Sequence, residues 1–211
     1  MPTTAAARLP GPQADRRVIP GIGPETRGRI PADARQVLVA SGDGVDSDTA
    51  EVVLYTRAGD ARWRAGQRWP AHNAARGWTT DHRLGDLRSP QGVFELSDAG
   101  GKRPAPGAKL PYQRSHLFTV TGAGVEGEPL AGAFDYVVAI DYNRVAGNSP
   151  LDQQRPDGAA KGGGVWLHVD HDGPTQGCVS LSRDAMRALL GTLDPGMRPV
   201  IVMGPKDWLA R

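Results

Sequence analysis

The chain has 211 residues, a formal net charge of +2 and a single cysteine. That length supports one full hydrophobic core with at most a small additional element. Cations scattered among Asp and Glu exclude a basic nucleic-acid face. The absence of a long apolar run excludes a spanning helix in this sequence, and one thiol excludes an internal disulfide or a cysteine-rich metal site.

Met1 to Arg17 offers only Ala5-Ala6-Ala7 as an apolar stretch, too short for a signal-peptide core. The protein is therefore expected either to be cytosolic or to begin after a removed signal. Residues 1–30 are rich in Pro, Gly and Arg, and Pro10, Pro12, Pro20 and Pro24 break any helix. They are expected to form a flexible tail ahead of one domain over residues 31–211. From Gln36 the texture changes. Gln36 to Ala40 and Glu51 to Thr56 read as strands. Ala58-Gly59-Asp60 turns the chain, and Arg62-Trp63-Arg64 alternates on the far side, giving a hairpin. Trp63, Trp69 and Trp78 are assigned to packing.

Further strands are expected at Pro90 to Leu96, Leu117 to Val120 and Tyr136 to Tyr142. Long Gly/Pro-rich connections, Gly100 to Pro111 and Asn148 to Gly164, are expected to be walls or lids. Gly164 to Asp170 alternates: Val165, Leu167 and Val169 face one way, Trp166, His168 and Asp170 the other. Ser182 to Leu193 is the one well-marked helix, with Ser182 as N-cap and Met186, Leu189, Leu190 and Leu193 as its apolar stripe. Arg198 to Met203 is a final buried strand. Many strands and one helix, without βαβ alternation, place the chain in the mainly β class.

The chemistry centres on Cys178, in Gly173-Pro174-Thr175-Gln176-Gly177-Cys178-Val179-Ser180-Leu181, ten positions after His168. A thiolate is the reactive form of cysteine, and a nearby imidazole can take its proton. Gly177 permits a tight turn and close approach of a carbonyl substrate to main-chain amides. A buried structural cysteine is the alternative. His168 is the candidate base, and His171, in the following loop, is its competitor. His72, His82 and His116 carry no motif. His168-Val169-Asp170-His171 matches half of a His-x-His-x-Asp-His zinc motif, but Trp166 stands where a histidine is required, and no metal is expected.

His168 followed by Thr175-Gln176-Gly177-Cys178-Val179-Ser180-Leu181 resembles the catalytic signature of the L,D-transpeptidase (YkuD-type) domain. Gly77 to Phe94, with Gly85-Asp86-Leu87-Arg88-Ser89-Pro90-Gln91-Gly92-Val93-Phe94, is similar to that family's segment in which a Thr/Ser-Pro-x-Gly-x-Phe stretch enters a strand. The resemblance spans roughly Val37 to Met203 and implies a β-sandwich-like fold with its helix after the catalytic cysteine. It also implies a peptidoglycan L,D-transpeptidase involved in cell-wall organisation and cell shape, working outside the cytoplasm, secreted or wall-associated. Its partners would be stem peptides. A monomer is expected, with no cofactor, and carbapenems would acylate the cysteine. By position, Cys178 would be the nucleophile and His168 the base. The Val169 carbonyl would orient the imidazole, and the Gly177 and Cys178 amides would hold the oxyanion. Thr175 would shape the loop, and Thr175, Gln176 and His171 would meet substrate. Tyr142 and Asn143 are placed at the cleft wall. Gln176 stands where the family usually has histidine, and Ser180 where it has Arg or Asn. An L,D-carboxypeptidase or endopeptidase using the same residues, and a non-catalytic wall-binding module, are the alternatives.

Overall fold

The computed structural model describes residues 17–57, 59 and 61–211. The chain opens with α1 (Pro24–Gly28), then runs β1 (Gln36–Gly42), β2 (Thr49–Arg57) and β3 (Trp63–His72). Short strands follow: β4 (Trp78–Thr79), β5 (Ser89–Pro90), β6 (Gly92–Glu95), β7 (Ala99–Gly101), β8 (Tyr112–Arg114) and β9 (Val137–Ala139). Next come β10 (Trp166–Val169), β11 (Val179–Leu181), α2 (Arg183–Thr192), β12 (Pro199–Pro205) and α3 (Lys206–Leu209). Ten strands form one mixed sheet in the order β6-β12-β1-β2-β3-β11-β10-β9-β7-β8, curled into a half-barrel. The mainly β fold with a single sizeable helix after Cys178 is as expected.

The centre of the sheet is buried on both faces, because β1, β2 and β12 are apolar at successive positions. Leu38, Ala40, Val52, Leu54, Ile201 and Met203 point into the larger core, which α2 covers with Met186, Leu189, Leu190 and Leu193. Val37, Val39, Val53, Tyr55, Val200 and Val202 point to the opposite face. Helix α2 begins where Ser182 accepts a hydrogen bond from the Ala185 amide at 3.2 Å, which satisfies one of the helix's open donors.

Residues 17–30 depart from the tail expectation. Ile19 and Ile22 are buried in the second core with Trp208 and Leu209. The Gly23 amide donates to the Leu209 carbonyl and the Glu25 amide to that of Arg211, both at 2.9 Å. The outer face of β1, β2 and β12 needs an apolar cover, and this segment supplies it together with α3. The prolines that prevent a long helix there do not prevent packing: Pro24 opens α1. Residues 1–16 lie outside the described residues.

Leu117 to Val120 is also not a strand. Leu117 is exposed while Phe118 turns inward against the Trp166 ring, centroids 5.8 Å apart. The strand expected over Tyr136 to Tyr142 is confined to β9. After β9, Arg144 is buried between Asp98, at 3.0 Å, and Asp141, and its other nitrogen donates to the Asn148 carbonyl. Asp141 is raised above the usual carboxylate range by burial, against the Arg144 hydrogen bond. This cluster anchors the start of the long connection to β10. Arg144→Met should lower stability by about 3–5 kcal/mol, because it leaves two buried carboxylates without their cation. Urea unfolding checks this, and a loss under about 1 kcal/mol would show that the cluster is not structural.

Candidate active site

Strands β10 and β11 are adjacent and parallel, with Leu167 opposite Val179 and His168 opposite Ser180. That register brings Cys178, just before β11, beside Trp166: the Trp166 amide donates to Cys178 Sγ at 3.4 Å. The thiol also lies 3.7 Å from the Gly164 carbonyl, a weak acceptor for its proton. Positions opposite one another, and positions two apart on one strand, share a face of a sheet. Cys178 and His168 therefore emerge on the same face. Both line a pocket of about 260 Å³ with Val120, Leu130, Phe134, His171, Thr175 and Gln176.

The loop from β10 to β11 is tied down at several points. The Thr175 amide donates to the Asn73 carbonyl at 2.9 Å, and the Ala75 amide returns a bond to the Thr175 carbonyl at 3.0 Å. The Thr175 hydroxyl donates to the Cys178 carbonyl at 2.7 Å and accepts from the Gly177 amide at 3.3 Å. Ser89 adds a second hydroxyl to the Cys178 carbonyl at 3.2 Å and accepts from the Ala74 amide. Two hydroxyls thus fix the peptide carrying the thiol.

His168 is buried, and its Nδ1 lies 2.9 Å from the Val169 carbonyl. A carbonyl only accepts, so Nδ1 carries the proton and Nε2 keeps its lone pair. Burial lowers the His168 pKa to about 4, against the Val169 hydrogen bond. Burial pushes the Cys178 thiol up to about 11, opposed by the Trp166 amide. Both shifts favour the neutral forms of a thiol and an imidazole that line the same pocket. Next to it the Ser180 hydroxyl donates to Asp170 at 2.6 Å, and His72 Nδ1 lies 2.9 Å from the same oxygen. Asp170 falls below the usual carboxylate range: burial works upward, and the bonds from Ser180 and His72 outweigh it.

Of the residues singled out in the sequence, Cys178, His168, His171, Thr175 and Gln176 meet at this pocket. Gly177 and Val169 act through their backbones behind it. Tyr142 and Asn143 do not line it. Tyr142 donates to the Lys161 carbonyl at 3.0 Å, and the Asn143 amide group donates to the Gly158 and Gly162 carbonyls. They hold the 143–164 connection in place. The sequence reading overlooked Glu128, whose Oε1 lies 3.0 Å from His171 Nδ1. The Gly/Pro punctuation of Gly122, Gly124, Gly127 and Pro129 marks its turn, paired through the bridge between Ala123 and Pro129.

A profile of the family described as YkuD, L,D-transpeptidase catalytic domain, matches residues 44–202, well over half of the chain. Among solved structures, the chain is similar to the helical cell shape determining protein Pgp2 from Campylobacter jejuni. The two share 16% identity over 85% of this chain and 53% of that one, with a TM-score of 0.44. The chain thus spans about half the length of that protein. No curated protein matches the sequence.

A neutral resting thiol has a direct consequence. Alkylation of Cys178 by iodoacetamide should be slow at neutral pH and climb through pH ~9 without levelling, because the thiolate fraction grows toward the thiol's pKa of about 11. A plateau below pH ~7, followed by mass spectrometry, would instead reveal a preformed thiolate–imidazolium pair.

Proposed function

The chain belongs to the YkuD-type L,D-transpeptidase catalytic domain family, and from that membership we propose that it is an extracytoplasmic cysteine acyltransferase acting on peptidoglycan stem peptides. The observation carrying this reading is that Cys178, at the entry to β11, and His168, on the adjacent parallel strand β10, line one pocket, with the His168 tautomer set by Val169.

Sγ of Cys178 attacks the carbonyl between the third and fourth stem residues while its proton passes to Nε2 of His168. The proton transfer accompanies attack, because burial keeps both partners neutral beforehand. The negative charge on the carbonyl oxygen is held by the Cys178 amide. The Gly177 amide is already turned toward Thr175, so its share is smaller than the sequence pattern suggests. The C–N bond then breaks, and the leaving D-amino acid departs with the proton from His168, giving a thioester on Cys178. An amine of a second stem attacks the thioester, the new C–N bond forms and the thiol is regenerated. Water in place of the amine gives the carboxypeptidase outcome.

Tetrapeptide stems incubated with the protein should yield cross-linked dimers and free D-Ala by mass spectrometry. Cys178→Ala should abolish both products while leaving the circular-dichroism spectrum unchanged. His168→Ala should slow their appearance by about 100-fold or more. Wild-type rates in Cys178→Ala would remove cysteine from the mechanism, and accumulation of tripeptide without dimer would assign hydrolysis.

A further inference from the structure

The pocket contains a second imidazole that the acylation step does not use. His171 lines it next to His168, the rings nearly parallel at 11° with centroids 5.6 Å apart. The His171 side chain is only 5% exposed, and that of Glu128 11%. Glu128 belongs to a tight turn whose neighbours Gly124 and Val125 also line the pocket. The turn is closed by the Gly124 amide on the Glu128 carbonyl at 2.8 Å, and the Glu126 amide holds the carboxylate at 2.9 Å. Space for that carboxylate is reserved by two glycines. A Cβ at Gly124 would stand 1.8 Å from Glu128 Oε1, and one at Gly173 2.7 Å from its Cδ.

We propose that His171, oriented by Glu128, is the base that serves the acyl acceptor, while His168 serves the thiol. The inference rests on the acyltransferase reading above. The 3.0 Å between His171 Nδ1 and Glu128 Oε1 is an ion-pair distance without the alignment of a hydrogen bond; a histidine with a carboxylate at one edge and a pocket at the other is the arrangement of a general base. His168 is committed on its Nδ1 side to Val169, and its Nε2 serves the thiol in the acylation step. His171 faces the groups His168 and Asp170 from β10 and its end, and Glu128 from the turn. The Glu128 carboxylate is held below its usual range: burial works upward, but its own amide, the Glu126 amide and His171 outweigh it. An anion at that point stabilises the charge an imidazole gains when it takes a proton.

In the transfer step the acceptor nitrogen attacks the thioester carbon and loses its extra proton to His171 Nε2. The C–S bond breaks, and the sulfur recovers a proton by way of the same imidazole, so that enzyme and product leave the cycle neutral at these atoms. Glu128 acts only through His171 and is a positioning residue.

The test separates the two half-reactions. Wild type, Glu128→Gln and His171→Asn are acylated with a tetrapeptide stem, and decay of the acyl-enzyme is followed by intact mass with glycine or with hydroxylamine as nucleophile. Both nitrogens gain a proton on attack, but glycine must also shed one beforehand, whereas hydroxylamine is already unprotonated at neutral pH, so transfer to hydroxylamine leans less on a base. His171→Asn should lose transfer to glycine by about 100-fold. Glu128→Gln should lose less, and both variants should be slowed markedly less with hydroxylamine than with glycine. A purely structural role would slow both nucleophiles alike, and that result, or no change with glycine, overturns the inference. Should His171→Asn fail to fold by circular dichroism, Glu128→Gln decides alone. A wild type that forms no acyl-enzyme overturns the acyltransferase reading itself, whereas an acylated wild type with unchanged partition in Glu128→Gln overturns only the second base.

Discussion

The parallel pairing of β10 with β11 is the constraint on which the site depends. Neighbouring parallel strands are usually joined by a dozen or more residues, most often through a helix. Here the chain leaves Val169 and returns beside Leu167 through residues 170–178 with no helix. A return that short has little freedom, and it is held by side chains and backbone from elsewhere: Asn73, Ala75 and Ser89 all bond to it. The thiol is thereby delivered at a fixed register next to the strand that carries His168. The remaining sheet supports this arrangement. Strand β3 pairs with β11 through Ser180 and His72, and β9 flanks β10 through Val137 and Val138.

The same enclosure sets the electrostatics. Removing water from around a thiol and an imidazole disfavours the charged form of each, so both pKa values move toward neutrality of the pair. The His168 ring touches Phe134 edge-on at 5.5 Å and His171 in parallel, and neither contact hydrates it. In the proposed acylation the proton moves only when a carbonyl is in place to receive the sulfur. Charge separation then belongs to the proposed acylation step, and the proposed acceptor step falls to a second imidazole with a carboxylate near it.

Much of this could be read from residue order. Alternation over Gly164 to Asp170 put His168 on the face opposite Leu167, and Ser182 with its apolar stripe marked α2. These are local signals, repeated every two or every few residues. What stayed illegible depends on distant partners. Ile19 and Ile22 look like isolated apolar residues among prolines until the outer face of β1, β2 and β12 is seen to need a cover. Leu117 to Val120 has strand composition, but the ring of Phe118 is drawn inward by Trp166, and no ladder forms. Tyr142 and Asn143 lie at the start of the long connection, and their hydrogen bonds go to carbonyls of that connection rather than into the Cys178 pocket. Glu128 carried no motif, and only the folded chain brings it to His171.

The measurement that bears most directly on the central claim is the intact mass of the protein quenched in mid-turnover with a tetrapeptide stem, followed by peptide mapping. The account predicts a tripeptidyl adduct on Cys178, labile to thioester cleavage and absent from the Cys178→Ser protein as a thioester. Dimers or tripeptides appearing from a protein that never carries an adduct, or an adduct mapped to any other residue, would contradict it.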